Sequence, residues 1–140
     1  MYFAIIDAQS EISRLATIAH GEKVSDIALW FAQEFRDNFE MYCNDEDDDC
    51  EEVLKQCDEL IDLAENDALE LSDLEGFCFN AGGVSTELIG VYDSYENFVQ
   101  GFSQYVSDKP KYVKIKPEEN PSGIEEECDR LNTLLIRASI

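Results

Sequence analysis

The chain has few basic residues: ten Lys and Arg stand against 32 Asp and Glu, which gives a formal net charge of -22 at pH 7. A surface this acidic repels nucleic acid, anionic membranes and acidic substrates, because all of these carry negative charge. Direct binding of nucleic acid or membrane is therefore not predicted. The same charge attracts proteins whose working surfaces are basic.

Long apolar runs and disulfide motifs are also missing. No run approaches the roughly 18 apolar residues of a membrane span, and residues 1–7 lack the basic region of a signal peptide. The five cysteines are odd in number and lack the dense spacing of a secreted disulfide scaffold. These absences predict a soluble, cytoplasmic protein with reduced thiols.

Catalytic motifs are weak. His20 is the only histidine, and no nucleophile elbow accompanies it, so we interpret it as a cap near the end of a predicted helix. The glycines at 82–83 lack the lysine and hydroxyl residue of a phosphate-binding loop and predict a turn. An enzyme that uses paired carboxylates such as Asp58 and Asp62 is a third function class, but a non-enzymatic protein without a cofactor is favoured.

Two patterns match metal-binding motifs only in part. The alternating acidic residues of 45–49 start like a calcium-binding loop, but Cys50 stands where that loop needs glycine and Gln56 where it needs glutamate. Three cysteines recur every seven residues from Cys43 to Cys57. That interval is about 10 Å along a helix, too far for three thiolates to meet on one zinc ion. We interpret these cysteines as small buried hydrophobic residues, and no metal site is predicted.

Hydrophobic patterning predicts one α+β domain over residues 1–140, since 44% of the residues are hydrophobic despite the high charge. Strands are predicted at 2–6 and 109–116, and a hairpin with a glycine turn lies within 76–91. Caps and helical spacing predict helices at 10–21, 25–42, 50–64, 94–106 and 124–140, with a loop at 117–123. Helices therefore outnumber the strands of a small, mostly antiparallel sheet of three to four strands.

Negative charge is concentrated in residues 37–75, which hold seventeen Asp and Glu and one basic residue, Lys55. The helix at 50–64 has an apolar inner face and an acidic outer face, and residues 44–49 are either a loop or its acidic first turn. Residues 45–67 contain twelve carboxylates. On a helix this is one charge per roughly 3 Å, close to the roughly 3.4 Å between charges of one DNA strand.

In charge, size and absence of catalytic motifs, the chain resembles anti-restriction and anti-CRISPR DNA mimics. The resemblance implies an inhibitor that occupies the nucleic-acid-binding surface of a basic protein with carboxylates in place of phosphates. The predicted contact residues are Asp45, Glu46, Asp47, Asp48, Asp49, Glu51, Glu52, Asp58, Glu59, Asp62 and Glu65.

An immunity or antitoxin protein that neutralises one basic toxin, such as a nuclease, is the alternative function. The sequence does not decide between a monomer and a homodimer. A homodimer would suit this function, because two acidic helices placed end to end would lengthen the imitated duplex. Four of the ten basic residues lie within 109–116. We expect these lysines to protect an edge strand or to offset the acidic helices, with nucleic-acid contact as the less favoured interpretation.

Overall fold

The computed structural model describes residues 1–43 and 48–140, except for the side chains of Asp48 and Asp49. Its strands are β1 (Tyr2–Gln9), β2 (Arg14–Gly21), β3 (Cys78–Ala81) and β4 (Val84–Tyr92). Its helices are α1 (Val24–Tyr42), α2 (Asp48–Glu65), α3 (Leu71–Leu74), α4 (Tyr95–Val106) and α5 (Ile124–Ser139). The strands form one antiparallel sheet in the order β2-β1-β4-β3, so the predicted α+β class is confirmed.

Helices cover both faces of this sheet. Side chains of a strand alternate between faces, so Phe3 and Ile5 of β1 lie in one core with α4 and α5. Ala4 and Ile6 lie in the other core, which contains α1 and α2. Within that second layer α2 packs against α1 and β3, at the β3 end of the sheet. The acidic helix therefore lies at one border of the molecule.

The helix predicted at 10–21 is wrong, because Ser10 closes a turn between two strands instead of capping a helix. The Ser10 amide donates to the Ser13 carbonyl at 2.8 Å, and the Ser13 amide donates to the Ser10 hydroxyl at 3.1 Å. Gln9 and Arg14 then face each other as the first pair of an antiparallel hairpin. A serine that accepts from an amide three residues later serves a helix start and a turn equally well.

Burial on both faces of β2 explains why its sequence imitates a helix. Ala16 and Ile18 lie in the core with α5, and Ala19 lies in the opposite core. A strand covered on both sides loses the simple alternation of apolar and polar residues. The remaining apolar spacing then resembles the period of a helix.

The strand predicted at 109–116 is also wrong. The Tyr112 amide donates to the Lys109 carbonyl and the Ile115 amide to the Tyr112 carbonyl, each at 2.9 Å, so the segment is a series of turns. Tyr112 and Ile115 are buried three residues apart, which is the spacing of turns and not of a strand. The Lys109 ammonium lies 4.1 Å from the centre of the Tyr105 ring.

Side chains cap the outer edge of β2. The Ala16 amide donates to the Tyr112 hydroxyl at 3.4 Å. Asn132 of α5 accepts from the Ile18 amide at 2.7 Å and donates to the Ile18 carbonyl at 3.0 Å. An edge whose backbone groups are satisfied in this way is protected from pairing with another chain. The 109–116 segment therefore shields the β2 edge through Tyr112, whereas the sequence predicted that the segment would itself be a strand, with its lysines protecting an edge or offsetting the acidic helices.

Replacing Asn132 tests this capping. We expect Asn132→Leu to lower the free energy of unfolding by about 2–3 kcal/mol, because it leaves the Ile18 amide and carbonyl without partners. Chemical denaturation measures the loss, and Thr133→Ala at the exposed neighbouring position should change it by less than about 0.5 kcal/mol. Equal effects of the two substitutions would show that the amide does not stabilise the edge.

The remaining helix and turn predictions are confirmed with small changes. The hairpin of β3 and β4 turns through Gly82 and Gly83, whose φ values of 61° and 79° fit a two-residue turn that needs positive φ at both positions. Ser94 caps α4 by accepting from the Asn97 amide at 3.1 Å. Ser25 does not cap α1, which begins after Lys23. The short helix α3 was not predicted.

Candidate functional site

Helix α2 is anchored along its inner face. Cys50, Cys57, Leu60 and Ala64 are buried in the core that α2 shares with α1 and the sheet. The Cys57 thiol lies 3.8 Å from the Ala32 carbonyl of α1. Of the three cysteines predicted to be buried, Cys50 and Cys57 are buried and Cys43 is partly buried. The outer face of the helix is therefore held in a fixed direction.

The outer face carries every predicted contact residue whose side chain is described. These residues are exposed on α2: Glu51, Glu52, Asp58, Glu59, Asp62 and Glu65. Asp48 and Asp49 are the first residues of α2, but their side chains lie outside the described part. Asp45, Glu46 and Asp47 lie outside the described residues altogether. Of the acidic run 44–49, only 48–49 is therefore shown to be helical.

Four of these carboxylates form one stripe. At about 100° and 1.5 Å per residue, Glu51, Asp58, Asp62 and Glu65 fall within an arc of about 60° over about 21 Å of helix. Asp58 makes an ion pair with Arg36 of α1, so this stripe borders α1. The stripe is the longest line of charge on the described part of the helix.

A second stripe lies on the other flank of α2. The helical period places Glu52 and Glu59 roughly 100° round from the first stripe, on the side away from α1. Leu63 shares this flank and is 47% exposed. Together the two stripes give one carboxylate per roughly 4 Å of helix axis, close to the charge spacing of one DNA strand.

Two cations reduce the charge of this surface. Lys55 is exposed on α2 between the two stripes. Arg36 joins α1 to α2 through its pair with Asp58. Lys55 is visible in the sequence, but the position of Arg36 depends on how α1 packs beside α2, which no local pattern predicts. The surface is therefore less uniform than the sequence alone indicates.

A depression of about 290 Å³ lies between α1 and α2. Its lining is Arg36, Phe39, Glu40, Leu54 and Asp58. Arg36, which pairs with Asp58, already supplies a cation to this depression, and Glu40 adds a second carboxylate. Asp62 is not among the described residues that line it, so this depression does not hold Asp58 and Asp62 as a carboxylate pair.

His20 does not cap a helix, contrary to prediction, because it lies at the end of β2. Its ring centre is 5.2 Å from that of Trp30, and the Trp30 indole donates to Glu34 at 3.3 Å. Burial raises the pKa of Glu34 above its ordinary value, partly offset by this hydrogen bond. The group is a packed side-chain cluster at the border of β2 and α1.

Asp7 is the most deeply buried charged side chain among the described residues, at 1% exposure. Arg14 donates to one of its oxygens through Nη2 at 2.7 Å and Nε at 3.2 Å. The Tyr105 hydroxyl donates to the same oxygen at 3.4 Å. Burial, together with the Asp7 charge, raises the pKa of Tyr105. The half-exposed Arg14 thus pairs with a buried carboxylate within the first hairpin, and the Tyr105 hydroxyl ties that hairpin to α4.

The described residues contain neither a metal-binding cluster nor a membrane-spanning helix. In the described ranges, no three His, Cys, Asp or Glu side chains come together as a group that could hold a metal ion. None of the described helices combines the length and the apolar character needed to cross a membrane.

Comparisons with known proteins return nothing: no family model, no curated protein and no solved structure matches the chain. Geometry and charge are therefore the basis for a functional proposal. The functional proposal is based on the acidic face, which is formed by the two stripes of carboxylates on α2.

The concentration of charge on this face predicts stabilisation by salt. Screening weakens repulsion between carboxylates closer than the Debye length of about 10 Å at 0.1 M salt. We expect the thermal midpoint to rise by about 3–5 °C between low salt and about 0.5 M NaCl. A midpoint that stays constant or falls in a salt titration would show that the described carboxylates do not repel one another appreciably.

Proposed function

We propose that the protein is a non-enzymatic, cytoplasmic inhibitor that binds the nucleic-acid-binding surface of a basic protein. The acidic face of α2 presents carboxylates where the partner otherwise holds phosphates. DNA-binding restriction-modification enzymes and CRISPR effectors are the partner classes that this chemistry suits. The observation that carries the proposal is the exposure of all six described contact residues on a helix whose opposite face is buried.

Anchoring matters because a mimic must hold its charges apart before it binds. Carboxylates on a disordered segment would lose conformational entropy when a partner fixed them, whereas those of α2 are already ordered along the helix. Folding has already brought these carboxylates close together, so most of their mutual repulsion is present before a partner binds. Binding a cationic groove then relieves repulsion and releases counterions from both surfaces.

Helix α1 widens the acidic face. Asp37 and Glu40 are exposed on α1, and Glu40 lines the depression beside Asp58. Packed helices lie about 8–10 Å apart, so the two helices present charge over an area and not along one line. An area of this kind can engage several Lys or Arg side chains of a partner at once.

One observation favours the alternative, an immunity or antitoxin protein for a single basic toxin. Arg36 and Lys55 interrupt the acidic face, and a phosphate array contains no cations. A surface of mixed charge fits one cognate partner better than it fits many nucleic-acid-binding proteins. Both functions require a basic partner and differ in how many partners they accept.

Affinity capture tests the proposal. The immobilised protein is exposed to a bacterial lysate at low salt and eluted with a salt gradient, and each eluted protein is assayed for nucleic-acid binding with and without the inhibitor. We expect basic nucleic-acid-binding proteins whose binding is lost when the protein is added. Several such partners support a mimic, and a single toxin supports the alternative. Captured proteins that keep their nucleic acid would contradict both.

A further inference from the structure

The two edges of the sheet differ in the hydrogen bonding of their outward backbone groups. Tyr112 and Asn132 cap the β2 edge, whereas β3 at the other edge pairs, within residues 1–43 and 48–140, with β4 alone. The Leu88 amide donates to the Phe77 carbonyl at 2.8 Å, which fixes the alternation of bonded and non-bonded pairs along this hairpin. The backbone groups of residues 77, 79 and 81 therefore point toward β4.

Cys78 and Asn80 point their backbone groups away from the sheet as a result. They lie opposite Glu87 and Ser85 in the non-bonded pairs of the ladder. Among the described residues, no group hydrogen-bonds to these outward amides and carbonyls. Edge N–H and C=O groups left in this state are a template for another extended chain.

The surroundings of this edge leave room for such a chain. The side chains of Cys78 and Asn80 are exposed, and in that layer α4 packs against β1 and β4 while α5 packs against β2. On the other face, Phe79 and Ala81 are buried against the core that contains α2. Of the described helices, α2 is the one that would flank a strand added beside β3.

The side chains beside this edge are mostly acidic. The flank of α2 that faces away from α1 carries Glu52 and Glu59 together with the exposed Leu63. Asp73 and Glu75, which precede β3 in the chain, are exposed as well. A segment that pairs with β3 therefore meets carboxylates, and a second copy of a chain with a net charge of -22 is repelled there.

We infer that the open edge of β3 receives an extended basic segment of the partner, which adds a fifth strand to the sheet. The inference rests on the proposed function and specifies how the partner is recognised. Backbone hydrogen bonds to Cys78 and Asn80 fix the register of the segment. Its side chains alternate, so every second one points toward α2, where Lys or Arg meets Glu52 and Glu59 and an apolar residue covers Leu63.

A pair of peptides tests the inference on the unaltered protein. One is an octapeptide of alternating Lys and Val, and the other has the same sequence with every backbone amide N-methylated. The charge is the same, but only the first can donate to an edge strand. We expect the first to bind at least about tenfold more tightly, the equivalent of about 1.4 kcal/mol. It should also slow hydrogen exchange at the Cys78 and Asn80 amides.

A substitution in β3 removes a backbone donor from the protein, as N-methylation removes donors from the peptide. Proline is tolerated where an edge N–H points outward, so Asn80→Pro removes a donor without breaking the ladder to β4. We expect it to weaken binding of the unmethylated peptide about tenfold, while Asn80→Ala, which keeps the amide, changes it less than about twofold. If Asn80→Pro does not fold, the comparison of the two peptides on the wild type still decides.

Three outcomes would overturn the inference. Equal, salt-sensitive affinity for both peptides would mean that the acidic surface binds cations without strand addition, which leaves the proposed function standing. Binding of neither peptide would also reject strand addition, and the proposed function would then be judged on the captured partner alone. A wild-type dimer that Asn80→Pro converts to a monomer would assign the β3 edge to a second copy.

Discussion

Reversing three charges on α2 is expected to weaken partner binding about 100-fold at low salt. The variant combines Glu52→Lys, Glu59→Lys and Asp62→Lys, all exposed positions without an ion pair among the described residues. Each change removes an attraction and adds a repulsion, together worth about 1 kcal/mol, and tenfold in affinity corresponds to about 1.4 kcal/mol. Titration of the captured partner against each variant measures the effect.

A matched control separates this face from total charge. Glu96→Lys, Glu125→Lys and Asp129→Lys change the net charge equally at exposed positions on α4 and α5, which pack on the opposite face of the sheet. We expect this variant to lose less than about tenfold in affinity, through the long-range field alone. Equal losses in the two variants would mean that net charge, and not the acidic face of α2, determines binding.

Arg14→Met is expected to lower the free energy of unfolding by about 2–3 kcal/mol. The substitution keeps an aliphatic side chain but leaves the Asp7 carboxylate, at 1% exposure, with the Tyr105 hydroxyl as its remaining described partner. Arg14 itself is half-exposed, so the loss comes mainly from Asp7, which remains as a buried carboxylate without its cation. Denaturant unfolding at neutral pH measures the loss.

The double variant Asp7→Asn with Arg14→Met identifies the cause. It removes both charges, so we expect most of the stability lost in Arg14→Met to return. If the double variant is as unstable as the sum of its two single variants, the loss comes from packing of Arg14 and not from the orphaned Asp7 charge.

Elements with a strong local signal were predicted correctly from the sequence. Helix α2 has an apolar inner face at helical spacing, and α4 has a serine cap, so both were located. β2 was mistaken for a helix, because burial on both faces hid its alternation and Ser10 fits a cap as well as a turn. The turns of 109–116 depend on Tyr112 reaching across to Ala16, a contact 96 residues apart in sequence.

Exposure of the candidate site was predictable, but its context was not. A helix with one apolar face must turn Glu52 and Glu59 outward, so composition and period suffice. The pair of Arg36 with Asp58 and the open edge of β3 depend on how distant elements pack. These tertiary features modify the acidic face and place the proposed strand-addition edge beside it.

Competition with nucleic acid tests the central proposal most directly. A labelled DNA duplex bound to the captured partner is titrated with the protein while fluorescence anisotropy reports the bound fraction. We predict complete displacement of the duplex, an apparent affinity that falls steeply with salt, and about 100-fold weaker displacement by the α2 triple variant. A stable complex of partner, duplex and protein together would contradict the proposal.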